Sequence, residues 1–228
     1  MYDKIICIGD SITKGKVWRE GERRPYISEM SYPEILKKLL GMNVYNEGIC
    51  DITSEKVANM LDTDLSIEKG DIVIVEIGGN DCTPNWRQVK KNPIDPHYGA
   101  VSIDNFEKNL EKIVTRVKYL GGYPVLSTLP PLVAERYYNL LERVFGDGIK
   151  KWIDLNGGIY KWHERYSEAV KKVAKETDTY LVDVRNYFLE LGDYKEYMSF
   201  DGLHPNEKGY NVIAEAFYKD LKPIYAGI

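Results

Sequence analysis

Short runs dense in isoleucine and valine alternate along this chain with longer stretches of helical periodicity, and that alternation limits the fold more than any other feature. The runs at Lys4–Ile8, Asn43–Tyr45, Asp71–Ile77, Tyr123–Thr128 and Tyr180–Val184 are bounded by Gly, Asp or Pro and read as strands. Helical segments lie between them, near Ser31–Leu40, Ser54–Leu61, Asp104–Leu120 and Trp162–Lys175. In a final helix, Tyr210, Ile213, Phe217 and Leu221 recur at three- and four-residue steps and form one apolar face. Apolar strands separated by helices pack as a parallel sheet covered on both sides. The expectation is therefore an α/β protein with a parallel five-stranded sheet and helices on both faces, in one domain over residues 1–228. No repeat, low-complexity tract or linker divides it. Residues 82–103 and 130–161 are too long for simple connections and are expected to wall or cover a site, or to form a homodimer contact.

Composition narrows the partners. A net charge of −4 argues against nucleic acid or an anionic membrane as the main partner. No run of about 18 apolar residues is present to span a bilayer. The chain passes from Met-Tyr-Asp-Lys directly into Ile5-Ile6-Cys7-Ile8, without the features of a signal peptide. Three cysteines, none in C-x-x-C spacing, suit neither a disulfide framework nor a zinc site. A cytoplasmic protein with reduced thiols is expected.

In an open parallel sheet, chemistry gathers at the carboxyl ends of the strands. Ser11 follows the first expected strand, Asp51 the second and Asn80 the third, while Asp201 and His204 fall between the fifth and the last helix. A serine on a sharp turn, with an Asp and a His three residues apart, supplies the parts of a nucleophilic serine site. The chain holds only three histidines, His97, His163 and His204, so the choice of base is narrow. Gly202 gives the turn its backbone freedom, and Pro205 keeps His204 out of helical geometry. Asp10 orders the nucleophile loop and, with Trp86 and His97, is a candidate for substrate contact. His163 is expected to be a partly exposed structural residue. Cys50 and Cys82 adjoin the motifs and read as small packing residues.

Gly9-Asp10-Ser11-Ile12-Thr13, Gly78-Gly79-Asn80-Asp81 and Asp201-x-x-His204-Pro205 resemble, in order and spacing, three sequence blocks of the SGNH or GDSL hydrolases. The resemblance implies a three-layer α/β/α, flavodoxin-like fold and hydrolysis of esters or thioesters. It also implies Ser11 as nucleophile, His204 as base, Asp201 as orienting carboxylate and Asn80 as an oxyanion donor beside the Ser11 N–H, with no metal and no organic cofactor. One position departs from the pattern. Where family members carry a glycine whose N–H enters the oxyanion hole, this chain has Asp51, with Gly48 three residues earlier as second choice. A carboxylate ~4 Å from an oxyanion would cost roughly 4 kcal/mol at an effective dielectric of about 20. The Asp51 side chain is therefore expected to turn away and cap the helix that starts near Thr53.

A small-molecule ester is the expected substrate, with short acyl groups such as carbohydrate-linked acetyl favoured by the tyrosine-rich composition. Longer acyl chains, as in lysophospholipase or thioesterase action, are the alternative. Arg19, Arg23 and Arg24 read as a solvated surface rather than an anion site. Gly9 to Lys16 fails as a P-loop, because Val17 stands where Ser or Thr should hold magnesium. A metallophosphoesterase would need more histidine than the chain offers, and a non-catalytic carbohydrate binder would not need every catalytic side chain.

Overall fold

The computed structural model describes residues 4–61, 63 and 65–225. The chain runs β1 (Ile5–Gly9), α1 (Ser11–Lys14), β2 (Lys16–Val17), β3 (Tyr26–Ile27), α2 (Tyr32–Leu40), β4 (Val44–Gly48), α3 (Ser54–Met60) and β5 (Ile72–Glu76). It continues through α4 (Trp86–Lys91), α5 (Ile103–Tyr119), β6 (Tyr123–Ser127), α6 (Ala134–Phe145), α7 (Lys150–Leu155), α8 (Ile159–Glu176), β7 (Tyr180–Val182), α9 (Val184–Leu189) and α10 (Glu207–Tyr225). Five strands form one parallel sheet in the order β4-β1-β5-β6-β7. The order reverses around β1, and that is the switch point where doubly wound sheets open a crevice. β2 and β3 form a separate antiparallel pair.

Alternation along the strands builds a core on each face. Ile6, Ile8, Val73 and Val75 pack with Val57 of α3, Phe106 and Leu110 of α5 and Tyr166 of α8. Ile5, Cys7, Ile72 and Ile74 face the other way, onto Leu36 of α2, Phe188 of α9 and the stripe Tyr210, Ile213, Phe217 and Leu221 of α10. β1 and β5 are thus buried on both sides, which explains their near-continuous Ile and Val, whereas the edge strand β4 leaves Tyr45 and Glu47 exposed. The expected α/β/α sandwich is the structure observed. Among the described residues no helix is long and apolar enough to cross a membrane.

The long connections are helical rather than irregular. Residues 82–103 carry α4, and residues 130–161 carry α6, α7 and the start of α8. They share a third core in which Trp86, Tyr137, Leu141, Trp152 and Trp162 pack together. Two expectations change. The second strand continues through Gly48, past the predicted Tyr45. Val184, predicted as strand, opens α9 behind an Asp183 cap that accepts from Asn186 N. The six-residue helices α4 and α7 are too short to show a periodic stretch, so their pattern escapes a sequence reading.

Gly48 shows how closely the sheet and the nucleophile helix meet. A Cβ at this position would lie 2.3 Å from the Lys14 nitrogen, at the end of α1. Gly48→Ala should therefore force the two backbones apart and lower the free energy of unfolding by about 1–3 kcal/mol in urea titration. An unchanged midpoint would contradict this packing.

Candidate active site

Ser11, Asp201 and His204 come together at the carboxyl end of the sheet. Ser11 opens α1, directly after β1, and is 7% exposed. Its Oγ lies 2.9 Å from His204 Nε2 across 193 residues of sequence. The other ring nitrogen of His204 stands 2.6 Å from Asp201 Oδ2. Asp201 Oδ1 accepts from the N–H groups of Leu203 and His204 at 2.9 and 3.0 Å. Nδ1 thus carries the ring proton, and Nε2 is left to accept from the serine hydroxyl. Burial alone would raise the Asp201 carboxyl; the His204 ring and the two backbone N–H groups outweigh it and hold it below the usual carboxylate range.

The acid-base loop is fastened from outside the sequence motifs. Gly202, at φ +70°, brings its carbonyl to the Val133 N–H at 2.7 Å. Arg136 Nη1 donates to the carbonyls of Lys195 and Met198 at 3.0 and 3.1 Å. Ser199 N–H donates to the His204 carbonyl at 2.8 Å. Phe200 N–H bonds the Trp18 carbonyl at 2.9 Å, which ties the loop to the segment after the nucleophile. Nothing in the local sequence around Arg136 signals this role, because its partners are backbone carbonyls 59 to 62 residues away.

Three N–H groups on the loops that follow β1, β4 and β5 remain available to a ligand. Asn80 Nδ2 donates one hydrogen to the Ile52 carbonyl at 2.9 Å, which fixes the amide and leaves its second hydrogen for a ligand. The Ser11 N–H lies in the first turn of α1, where N–H groups have no helical partner. Asp51 adopts φ +61°, the left-handed region that Asp tolerates better than most residues, and its backbone N–H has no partner among the described residues. Gly48, the second choice, is committed elsewhere: its N–H donates to Asn46 Oδ1 at 3.0 Å, and Asn46 Nδ2 donates to the Thr13 carbonyl.

The Asp51 side chain is exposed and does not cap α3, contrary to expectation. Asp81 performs that task from across the site. Its carboxylate accepts from Ser54 N at 3.0 Å and from Ser54 Oγ at 2.5 Å, and Asn109 Nδ2 donates to the same hydroxyl at 2.9 Å. The residue after Asn80 thereby anchors the loop that carries Asp51, a contact 27 residues apart that no local pattern announces. Asp10 Oδ1 accepts from Ile12 N at 2.9 Å and caps α1, as a residue that orders the nucleophile loop should.

The remaining candidates lie apart. Trp86 is 6% exposed and stacks edge-on to Trp152 at 5.7 Å, so it belongs to the insert core and offers no face to a substrate. His97 is half-buried in the 82–103 segment, with Nε2 2.8 Å from the Asn92 carbonyl. It lines a polar groove of about 600 Å³ together with Thr83, Asn85 and Gln88. His163 is only 3% exposed, against the expectation of partial exposure. α8 is wedged between the sheet and the insert, so both flanks of His163 are covered, and burial followed by the nearby Arg185 charge depresses its pKa to about 3. Cys82 is buried and Cys50 half-buried. Arg19 pairs with Glu207 at 2.7 Å. A cleft of about 550 Å³, lined by Trp18, Asn139, Arg143 and Phe200, flanks the outer side of the acid-base loop and touches none of the triad. Among the described residues, no group of three or more His, Cys, Asp or Glu side chains is placed to hold a metal ion.

Burial raises the Asp81 carboxyl to about 6, against the opposing hydrogen bonds from Ser54. An acid raised in the folded state binds more protons folded than unfolded between about pH 4 and 6, so its contribution to stability falls as pH rises through that window. Asp81→Asn lacks this titration. Urea midpoints should therefore move in favour of the variant from pH 4 to 6 and run parallel above pH 7; a constant difference across the range would contradict this.

Known proteins resemble this chain along nearly its whole length. Residues 7–212 match the model of the GDSL-like lipase/acylhydrolase family. An acetylxylan esterase from Geobacillus stearothermophilus is 27% identical over 96% of this chain and 94% of its own length. A thioesterase 1/protease 1/lysophospholipase L1 from Escherichia coli K12 is 25% identical over 97% of this chain and 85% of its own. The structure of a catalytic mutant of an acetylxylan esterase from Geobacillus stearothermophilus superposes with a TM-score of 0.67 at 25% identity, covering 96% of this chain and 94% of that one. The chain belongs to the GDSL-like lipase/acylhydrolase family and is a serine ester hydrolase.

Proposed function

We propose that the protein hydrolyses small esters bearing a short acyl group, such as an acetyl group on a carbohydrate, through an acyl-enzyme on Ser11. The observation that carries this reading is the unbroken relay from Ser11 Oγ to His204 Nε2 and from His204 Nδ1 to Asp201, at 2.9 and 2.6 Å. In the first half-reaction Ser11 Oγ attacks the ester carbonyl carbon while Nε2 takes the hydroxyl proton. Asp201 keeps the ring in the required tautomer and stabilises the imidazolium. The N–H groups of Ser11 and Asp51 and the free amide hydrogen of Asn80 bind the tetrahedral oxyanion. His204 then protonates the departing alkoxide. In the second half-reaction it takes a proton from water, which attacks the acyl carbon and releases the acid and Ser11.

Two features support a short acyl group. The insert core of Trp86, Leu132, Tyr137 and Trp152 packs against Leu203, in the acid-base loop, and fills volume that a long chain would need. The chain's 18 tyrosines favour amphipathic walls over a wholly apolar acyl tunnel. The acetylxylan esterase likeness points the same way. Three free thiols fit a reducing compartment, and we place the enzyme in the cytoplasm on that ground.

Steady-state hydrolysis of p-nitrophenyl acetate and octanoate, with and without EDTA, tests the reading. Acetate should be the better substrate, chelator should have no effect, and Ser11→Ala should abolish turnover. Activity that survives the serine change but dies with EDTA would overturn it, and preference for octanoate would move it to the lipid-directed alternative. Asn80→Ala should lower kcat by about 10²–10³ with KM little changed; a loss confined to KM would remove Asn80 from the oxyanion hole.

A further inference from the structure

Behind the nucleophile lies a second carboxyl that the mechanism does not use. Glu76 ends β5, opposite Gly9 in the parallel register, and is completely buried. Its Oε2 lies 3.2 Å from Thr13 Oγ1, which in turn lies 3.0 Å from the Tyr32 hydroxyl. Oε1 is buried with no hydrogen-bond partner among the described residues. The acid whose charge acts on it is Asp10, 2% exposed, whose Oδ1 caps the first turn of α1. Gly9 leaves no room between the two segments, since a Cβ there would stand 2.1 Å from Thr13 Oγ1 and 2.3 Å from the Glu76 carbonyl.

An ionised carboxylate in this setting has one hydroxyl for solvation, a bare oxygen and a second acid beside it. Such burial costs several kcal/mol unless the group takes up a proton. The groups that face the pair do not relieve this. Tyr32 of α2 and Tyr210 of α10 are buried phenols, held above their ordinary titration range by burial and then by the buried acids and Cys7 around them. Asp81 adds negative charge on the Asp10 side, and Lys16 opposes it there, joined by His204 when its ring is protonated. Burial, and then the Asp10 charge, push the Glu76 carboxyl well above its usual range, while Asp10 is raised to about 6, again chiefly by burial.

We propose that Glu76 is a positioning residue: a neutral carboxyl that holds Thr13, and with it the turn that presents Ser11. The inference rests on Ser11 being the nucleophile. A proton on Oε2 lets Glu76 donate to Thr13 Oγ1 and Thr13 donate to Tyr32, leaving Oε1 as an uncharged carbonyl, far cheaper to leave bare than a charged oxygen. Asp10 is then free to carry the pair's single negative charge and keep its bond to Ile12 N. Two carboxylates this close are not both ionised at low cost, so the neutrality of Glu76 is what keeps the Asp10 cap intact at neutral pH.

The full-length enzyme, wild type and Glu76→Gln, tests this. Gln is the uncharged isostere, so kcat/KM on p-nitrophenyl acetate should stay within about twofold. Infrared difference spectra at pH 7 should show one protonated-carboxyl C=O band in wild type that is lost in Glu76→Gln. Glu76→Ala, which keeps neutrality but drops the Thr13 contact, should lose about tenfold or more in kcat with KM nearly unchanged. If Glu76→Gln folds yet loses tenfold or more, or if the protonated band is missing from wild type, the proposal is wrong. Should Glu76→Ala fail to fold, the Gln rate and the infrared band decide alone. Ser11→Ala run alongside separates the two readings: activity retained there sinks the serine mechanism, while the infrared band still reports on Glu76.

Discussion

The hydrogen bond between Ser11 Oγ and His204 Nε2 spans 193 residues of sequence, and it forms only if the whole sheet is in register. Ser11 follows the interior strand β1, which pairs with β4 on one side and β5 on the other. His204 rides on a loop tied to α6 through Val133 and Arg136, and to the segment behind the nucleophile through Phe200 and Trp18. A shift of any of these supports by an ångström would separate the two atoms. Catalytic geometry here is therefore a property of the packed sheet, not of the motifs that advertise it.

The oxyanion side depends on a different chain of supports. Asp51, whose N–H is the proposed oxyanion donor, sits at positive φ, and its loop stays in place because Asp81 clamps Ser54 at the start of α3. Asn80 is held by the Ile52 carbonyl of the same loop. Neighbouring residues of one motif thus reach into the same segment from two directions. Solvent exposure of the Asp51 side chain answers the electrostatic objection to an aspartate beside the proposed oxyanion.

How much of this was legible in the sequence follows from the range of each interaction. The interior strands β1 and β5 showed as Ile and Val runs because burial on both faces leaves no polar alternation. The helices α2, α5, α8 and α10 showed because each presents a single apolar stripe. Ser11, Asn80, Asp201 and His204 stood out because strand-end chemistry leaves short local patterns. What stayed hidden is long-range. Asp81 replaced Asp51 as the partner of α3, Gly48 lost its N–H to Asn46, and His163 became buried because the insert covers a helix face that the sequence shows as open. Trp86 read as a substrate contact because an aromatic beside a motif looks functional, yet its ring serves the insert core.

The central claim is that Ser11 becomes covalently acylated within a relay that His204 and Asp201 complete. The most direct measurement is labelling by a fluorophosphonate, an electrophilic mimic of the tetrahedral intermediate, followed by peptide mass mapping of wild type, His204→Ala and Asp201→Ala. The account predicts one adduct per chain, located on Ser11, with labelling slowed by orders of magnitude in both variants. An adduct on any other residue, or rapid Ser11 labelling without His204, would contradict it.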